Sequence, residues 1–348
     1  MTAPDTSIPS LPSASPRCGL FCRGLRYGVL WPMLMAGWAV VGLTAGGAVG
    51  RLHWRLDYFA NFHAQYFVLL AALTVVAVLA RAWRHVGLFG LALIYNTVLV
   101  WPLLSPVHLN AAHAEAEVGR PALRVVQKNL LHCNEQVGPV ADWFKAQDAD
   151  VIVVQEMTEV WREALVDRLA SFELYALPVV RDLGQRHVAG VFVRRGLGVR
   201  SHRFLGEAEL LKKMPQVQLE VPGFDAPVAL VGVHTRAPVS AKWSWLRGIQ
   251  LDELAEWATT QDGPVLLVGD LNATRWSAPL RDLRHATGLH DTAEGYGLVG
   301  TWPDFWAWSG MIILDHVLSS EHFEVIDRRV GPGLGSDHRG VVVDLMPR

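Results

Sequence analysis

A chain of 348 residues with a formal net charge of −2 has room for two domains, and its charges are unevenly distributed. Residues 1–120 contain eight Lys and Arg and four Asp and Glu, whereas the remainder contains 23 basic and 29 acidic residues. This acidic balance disfavours a nonspecific nucleic-acid-binding domain, which gathers basic side chains along the phosphate backbone. Cys133 is the single cysteine after residue 120, which excludes a disulfide within the C-terminal part.

The N-terminal third predicts a membrane region. A Ser- and Pro-rich start within residues 1–27 is typical of disorder, and three apolar segments follow at residues 29–49, 62–80 and 86–104. About 20 apolar residues cross a hydrocarbon core of roughly 30 Å, so we expect three transmembrane helices within residues 28–105. The third has the weakest pattern because it ends in Trp101-Pro102. Buried helices of a soluble protein are the alternative for each segment.

The arginines around these segments predict an orientation. With three spans, more arginines fall on one side of the membrane than on the other. That side has Arg17, Arg23, Arg26, Arg81 and Arg84, and the opposite side has Arg51 and Arg55. Positive residues stay in the cytoplasm, which predicts a cytoplasmic N terminus and a C-terminal domain outside the cytoplasm. A cleaved signal peptide is a poorer interpretation, because the first apolar segment is too long for one. Cys18 and Cys22 precede it; acylation is one interpretation, and two cysteines without a role is the favoured one.

After a polar linker at residues 106–120, short apolar runs alternate with residues that bind metals or transfer protons. We interpret the runs as buried strands of one domain, residues 121–348, with the polar groups gathered at strand ends into one site. The polar groups are Asn129, Gln155-Glu156, His234, Asp270 with Asn272, Asp315-His316 and Ser336-Asp337-His338.

The segment at residues 265–272 shows this pattern best. Four apolar residues predict a strand buried on both faces, and Gly269 is expected to let the chain leave it for a loop that presents Asp270 and Asn272. A carboxylate can hold a metal or deprotonate water, and an amide can donate to a phosphoryl oxygen. An Asx-rich turn without a catalytic role is the alternative.

Together, and in this order, the motifs resemble the endonuclease/exonuclease/phosphatase superfamily, which includes DNase I, abasic-site endonucleases, neutral sphingomyelinases and inositol-polyphosphate 5-phosphatases. The resemblance implies a DNase I-like four-layer α/β sandwich and Mg²⁺-dependent hydrolysis of a phosphoester or phosphoanhydride, with Mn²⁺ as a possible substitute. It assigns the metal to Glu156 and Asn129, with Asp337 assisting.

The same resemblance assigns the proton transfers and the substrate contacts. Asp270 orients or deprotonates water, Asn272 and His234 bind phosphoryl oxygens, and Asp315 orients the proton-transferring His338. His316 is interpreted as structural. Candidate substrate contacts are Arg236, Trp243 and Trp302. Arg181, Arg186 and His187 are weaker candidates, for which a solvated loop is favoured.

Aromatic side chains bear on the choice of substrate. We interpret Trp243, Trp245 and the aromatic residues of 302–308 as loops that rim the site and contact lipid; packing beneath the loops or on the apolar helices is the alternative. A membrane-tethered, outward-facing domain of this kind resembles the bacterial membrane phosphatases linked to teicoplanin resistance. The resemblance implies a multi-pass protein of the bacterial plasma membrane and a phosphorylated lipid substrate, such as undecaprenyl pyrophosphate or a phospholipid.

Two alternatives to a lipid phosphoesterase stay open. One is an extracytoplasmic nuclease acting on DNA or RNA, which the acidic domain disfavours. The other is a catalytically inactive, membrane-anchored binding protein, which the intact set of Glu156, Asp270, Asn272, Asp315 and His338 disfavours.

Overall fold

The computed structural model describes residues 26–105, 122–178, 187–206, 213–305 and 312–348. Several sequence predictions fall outside these ranges: most of the N-terminal segment with Cys18 and Cys22, the linker at 106–120, Arg181 and Arg186, and Trp306 and Trp308.

Within residues 26–105, the N-terminal region contains the α-helices α1 (Trp31–Ala48), which follows a helical turn at Arg26–Leu30, α2 (Trp54–Ala60), α3 (His63–Leu79) and α4 (Trp83–Leu104). Within the described residues, Gly28–Ala48 and Trp83–Leu104 are each long and apolar enough to cross a membrane. The pair α2 and α3, bent by 61°, makes a third candidate if it counts as one span. Helix α4 starts three residues before the predicted 86–104 segment and contains Pro102 in its last turn.

The sequence does not predict α2, which makes the turn between the first two apolar segments. His53 caps its N terminus by accepting a hydrogen bond from the Arg55 amide at 3.2 Å. This short helix contains Asp57 and is followed directly by Asn61, and both polar side chains are buried in contact with the C-terminal domain.

The C-terminal domain contains two six-stranded mixed sheets. The first has the strand order β11-β12-β1-β2-β4-β3 and the second β5-β6-β7-β8-β10-β9. The strands are β1 (Leu123–Asn129), β2 (Val151–Met157), β3 (Phe172–Tyr175), β4 (Val188–Arg194), β5 (Gly198–Leu205), β6 (Met214–Glu220), β7 (Val228–His234), β8 (Val265–Asp270), β9 (His290–Asp291), β10 (Asp315–Ser319), β11 (Phe323–Val330) and β12 (Val341–Pro347). The pairs β1/β2 and β7/β8 are parallel, and the other pairs are antiparallel.

Alternate residues of the central strands face opposite ways, which produces three apolar layers. Val125, Val153 and Val268 belong to the core between the sheets. On the outer face of the first sheet, Ile152 packs with helices α5 (Val137–Ala146) and α6 (Glu159–Arg168). On the outer face of the second, Leu267 packs with helices α7 (Ala241–Thr259) and α8 (Ala278–Thr287). The predicted four-layer α/β sandwich is confirmed.

Helix α7 begins earlier than the sequence pattern indicates. The apolar periodicity predicts a helix over 246–257, but the Ser240 side chain accepts a hydrogen bond from the Trp243 amide at 3.3 Å and starts the helix at Ala241. Trp243 and Trp245 therefore lie in the first turns of a helix, where 41% and 62% of their surface is exposed. The prediction that they lie in a loop is wrong.

Polar contacts join the apolar helices to the sandwich. Asp57 accepts hydrogen bonds from Arg247 Nη2 at 2.8 Å, from Ser277 Oγ at 2.8 Å and from the Ala278 amide at 2.6 Å. Asn61 Oδ1 accepts from both the amide and the hydroxyl of Thr274, at 3.1 and 3.0 Å. The segment just after β8 is thus held by side chains of the N-terminal region.

The C-terminal end of α4 is held in the same way. Trp276 Nε1 donates to the Leu99 carbonyl at 3.0 Å. The Pro102 and Leu103 carbonyls, which lack partners within the helix, accept from the amides of Gly295 and Gly297 at 2.9 and 2.8 Å. Helix α4 therefore ends on the sandwich itself.

Candidate active site

Strand register brings the predicted site residues from both sheets to one edge. In the second sheet, His234 is the parallel partner of Asp270, and Asp315 is the antiparallel partner of Asp270. In the first sheet, Asn129 pairs with Gln155 at the carboxyl ends of two parallel strands. His338 precedes β12, the neighbour of β1. The prediction of a single site at strand ends thus matches the topology.

Gly269 fixes the position of Asp270. Its φ is +150°, and a Cβ atom there would lie 2.0 Å from the Val233 carbonyl oxygen on the neighbouring strand. Only glycine permits this approach. The sequence predicts that the chain leaves the strand at Gly269, and this is wrong. Strand β8 continues through Asp270, and the loop begins after Asp270.

Asp270 is fully buried and surrounded by donors. Its Oδ1 accepts a hydrogen bond from the backbone N–H of Asn272 at 2.8 Å. Its Oδ2 accepts from the side-chain Nδ2 of Asn129 at 3.1 Å and of Asn272 at 3.3 Å. Burial raises its pKa to about 6, an effect that the nearby His338 cation reduces and the Asp315 charge increases. A carboxylate with such a pKa is suited to accept a proton near neutral pH.

His338 and Asp315 form a buried pair beside Asp270. His338 Nδ1 lies 2.9 Å from Asp315 Oδ2, and Nε2 lies 3.7 Å from Asp270 Oδ2. Burial lowers the pKa of His338, but the charges of Asp315 and Asp270 outweigh it and raise the value to about 10. For Asp315, burial raises the pKa, yet the His338 charge and hydrogen bonds from His338, Thr301 and Gln127 lower it below the usual range. The pair is therefore an imidazolium and a carboxylate at neutral pH.

Glu156 lies at a bulge in β2. The register against β4 shifts between Val154 and Met157, and Glu156 has a φ of +57°. The bulge brings its Oε2 within 2.7 Å of His132 Nδ1 and 3.1 Å of the His132 amide. His234 lies between this carboxylate and Asp270, with Nε2 3.9 Å from Glu156 Oε1 and 3.8 Å from Asp270 Oδ2.

Among the residues that the structure describes, two groups of side chains could hold a metal ion, by the distances between their ligand atoms. One consists of His132, Glu156 and His187; the other consists of Asp270, Asp315 and His338. The second is fully buried and already shares charge and hydrogen bonds within itself, whereas Glu156 is partly open. The first group fits a divalent cation better.

Asn129 and Asp337, predicted with Glu156 as metal residues, make other contacts. Asn129 uses its amide NH₂ on Asp270 and its Oδ1 on the Leu131 amide at 3.0 Å. Asp337 Oδ2 accepts from Trp302 Nε1 at 3.0 Å. Their role as metal ligands stays a prediction.

The predicted substrate-contacting side chains lie at two places around the site. The Trp302 ring is 6.4 Å from the His338 ring, so Trp302 lines the site. The Arg236 guanidinium lies over the Trp243 ring, 5.7 Å from its centroid.

Two further predicted residues, Asn272 and His316, hold neighbouring backbone. Asn272, at a φ of +47°, donates from its side-chain Nδ2 to the Thr235 carbonyl at 3.1 Å. His316 is buried, contacts the Ala273 carbonyl at 2.9 Å and lies 3.4 Å from Asp291, as a structural residue would.

The sequence analysis missed several residues that support the site. Gln127 Nε2 donates to Asp315 Oδ1 at 2.7 Å and to Gln155 Oε1 at 2.6 Å. Lys128 Nζ donates to the carbonyls of Pro332, Gly333 and His338, and burial lowers its pKa to about 8. A signal was present, because amide and ammonium groups inside an apolar strand must find partners.

The comparisons with known proteins agree on the fold. The sequence model of the endonuclease/exonuclease/phosphatase family matches residues 126–338. No curated protein matches the chain at a significant level.

Solved structures cover the sandwich. An endonuclease/exonuclease/phosphatase from Bacteroides vulgatus has 16% identity and a TM-score of 0.52, covering 65% of this chain and 99% of its own. D. rerio TDP2 complexed with a single-strand DNA product has 13% identity and a TM-score of 0.52, covering 64% and 98%. A mannosyl-6-phosphatase from Bacteroides thetaiotaomicron has 18% identity and a TM-score of 0.50, covering 64% and 99%. At these identities the likeness shows the DNase I-like fold, and with the sequence match it follows that this chain belongs to the endonuclease/exonuclease/phosphatase family.

Proposed function

We propose that this protein is a membrane-anchored, metal-dependent hydrolase of a lipid-linked phosphoester or phosphoanhydride. The observation that carries the hydrolytic part is the buried Asp270 carboxylate, placed among Asn129, Asn272 and the imidazoles of His234 and His338. This arrangement joins a proton acceptor to several donors in a site of low water content.

The side chains divide the chemistry between them. Asp270, with its raised pKa, accepts the proton of the attacking water. Asn272 and His234 donate to the phosphoryl oxygens as negative charge develops there. His338, kept cationic by Asp315, stabilises that charge and supplies a proton to the departing oxygen.

Glu156 and its neighbours would hold the divalent cation, close to His234, whose Nε2 lies 3.9 Å from Glu156 Oε1. When bound, such a cation neutralises phosphate charge and polarises the phosphoryl group.

The membrane assignment and the lipid class rest on two further observations. Helix α4, which is long and apolar enough to span a bilayer, contacts the loop that follows Asp270, where Trp276 Nε1 donates to the Leu99 carbonyl. Exposed aromatic side chains, Trp243 and Trp245, lie at the start of α7, whose Arg247 contacts the same helical region. Tryptophan favours the membrane interface. A phosphate headgroup in the bilayer would then lie close to the site, and the arginine distribution favours a domain outside the cytoplasm.

The test is hydrolysis by the detergent-purified full-length protein with a divalent cation, measured as phosphate release from undecaprenyl pyrophosphate, headgroup release from a phospholipid and strand cleavage of plasmid DNA. We expect hydrolysis of a lipid substrate and no cleavage of DNA, with the activity lost in Asp270→Ala and kept in Asp167→Ala, which removes an exposed carboxylate on α6.

The other outcomes decide between the alternatives. Cleavage of DNA alone would overturn the lipid assignment and identify a nuclease. No hydrolysis of any substrate, across a series of divalent cations, would identify a binding protein on the same fold.

A further inference from the structure

Glu156 has histidine neighbours, and they come from two separate places in the chain. His132 lies in the turn after β1, and His187 directly precedes β4. The ligand atoms of His132, Glu156 and His187 all lie within 4.8 Å of one another. The two imidazole rings are stacked, 5.5 Å apart and inclined by 17°.

The fold builds this group through backbone geometry. Met157 and Val188 form the last pair of the antiparallel β2/β4 ladder. Glu156 lies one residue inside this end of the ladder and His187 one residue beyond it, so the two are neighbours. The bulge in β2 gives Glu156 its positive φ and brings its carboxylate to His132. Such a backbone conformation is unfavourable in itself and persists where the surrounding structure holds it.

The donor set has a definite chemical preference. Mg²⁺ takes oxygen ligands and keeps most of its waters, whereas imidazole suits the first-row transition metals and Zn²⁺. One carboxylate and two imidazoles make three protein ligands, which leaves coordination positions open for water and a phosphate oxygen. With neutral histidines, a bound divalent cation keeps one net positive charge.

We propose that His132 and His187 join Glu156 as ligands of the active-site cation, and that this cation is a transition metal such as Mn²⁺ or Zn²⁺ rather than Mg²⁺. The use of the cation in hydrolysis rests on the proposed function, but its binding does not.

The test uses Mn²⁺ alone as the probe, bound to the full-length protein in detergent and examined by pulsed electron paramagnetic resonance. We expect ¹⁴N couplings from two imidazoles in the wild type and from one in His132→Ala or His187→Ala. Each variant should also bind Mn²⁺ at least about tenfold more weakly in a titration. His285→Ala, which removes an exposed imidazole on α8, should behave like the wild type.

Two results would overturn the proposal: bound Mn²⁺ with no ¹⁴N coupling, or unchanged affinity in both histidine variants. Circular dichroism of each variant separates loss of a ligand from loss of fold. Because no turnover is needed, a protein that shows the nitrogen couplings but hydrolyses nothing would refute the proposed function and leave the metal site standing.

Discussion

At the scale of single residues, Asp270 combines complete burial with hydrogen bonds from its own loop and from the opposite sheet. Burial disfavours its ionised form, and these donors together with His338 favour it. The resulting balance determines the pH at which the carboxylate becomes a base.

The first prediction concerns that pH. With saturating metal, kcat/KM should fall as the pH drops through about 6, because protonated Asp270 cannot accept a proton from water. Asn129→Ala should move this acidic limb to higher pH, since the Asn129 hydrogen bond lowers the pKa of Asp270. A rate that is flat between pH 5 and 8 would contradict the assignment of Asp270 as the base.

A second prediction concerns the carboxylate behind His338. Asp315→Asn should lower kcat by about 10²- to 10⁴-fold, because the imidazolium loses its partner and its orientation. The alkaline limb of the pH profile, set by His338 at a pKa of about 10, should move to lower pH. Both effects are measurable in one pH series, with Asp167→Asn as the control; an unmoved alkaline limb would show that Asp315 does not act through His338.

The sequence predicted the residues proposed to carry charge or protons, because each stands at the end or just before the start of an apolar run. It did not identify Gln127 and Thr301, which hold Asp315. Gln127 follows the apolar run of β1, and its contact with Asp315 becomes visible only when the two sheets face each other. Thr301 lies in the segment before β10, and its contact with the Asp315 amide becomes visible only when that segment is folded.

At the scale of elements, apolar runs were sufficient to predict the buried strands, because both faces of the central strands are covered. Helix limits were harder to predict. Ser240 starts α7 by a single capping hydrogen bond, and Pro102 is tolerated because it lies in the last turn of α4. Helix α2 is seven residues long, too short for its periodicity to distinguish it from a loop.

The close approach of β8 to β7 provides a third prediction. Gly269→Ala should destabilise the domain by about 3 kcal/mol or more, since the new Cβ would overlap the Val233 carbonyl. Gly288→Ala is the matched comparison: its φ is +69°, but a Cβ there meets nothing within 4 Å, so only backbone strain of about 1–2 kcal/mol is expected.

Thermal unfolding of the three proteins in the same detergent would measure the difference. Equal midpoints for the two alanine variants would show that β8 can move away from β7 without cost.

At the scale of the whole molecule, an ion pair connects the apolar helices to the loop that follows Asp270. Arg247 Nη2 binds Asp57, and Arg247 Nη1 donates to the Asn272 carbonyl at 2.7 Å. Both side chains are buried, and neither was a candidate from the sequence. Asp57 lies in the N-terminal third and Arg247 in a helix of the sandwich, so only the packed structure relates them.

The fourth prediction separates the stability of this contact from its effect on catalysis. Asp57→Leu should destabilise the protein by about 3–5 kcal/mol, because the Arg247 cation stays buried without its partner. The double variant Asp57→Leu with Arg247→Met should recover most of that stability while kcat stays low, since the Asn272 carbonyl has lost its donor.

Arg51→Ala is the control for the fourth prediction. It breaks an exposed ion pair with Asp282 at the same junction and should change stability by about 1 kcal/mol or less. A double variant with normal kcat would show that the contact serves stability alone.

The end of α4 has a kinetic consequence. Because Gly295 and Gly297 close its last carbonyls, the sandwich is fastened directly to the helix and not suspended from it. In a bilayer, a site mounted in this way would stay at one height above the headgroups and would meet the proposed lipid substrate by lateral diffusion. Its rate should then follow the mole fraction of substrate in the surface, so that adding inert lipid at constant bulk substrate slows turnover, the behaviour known as surface dilution.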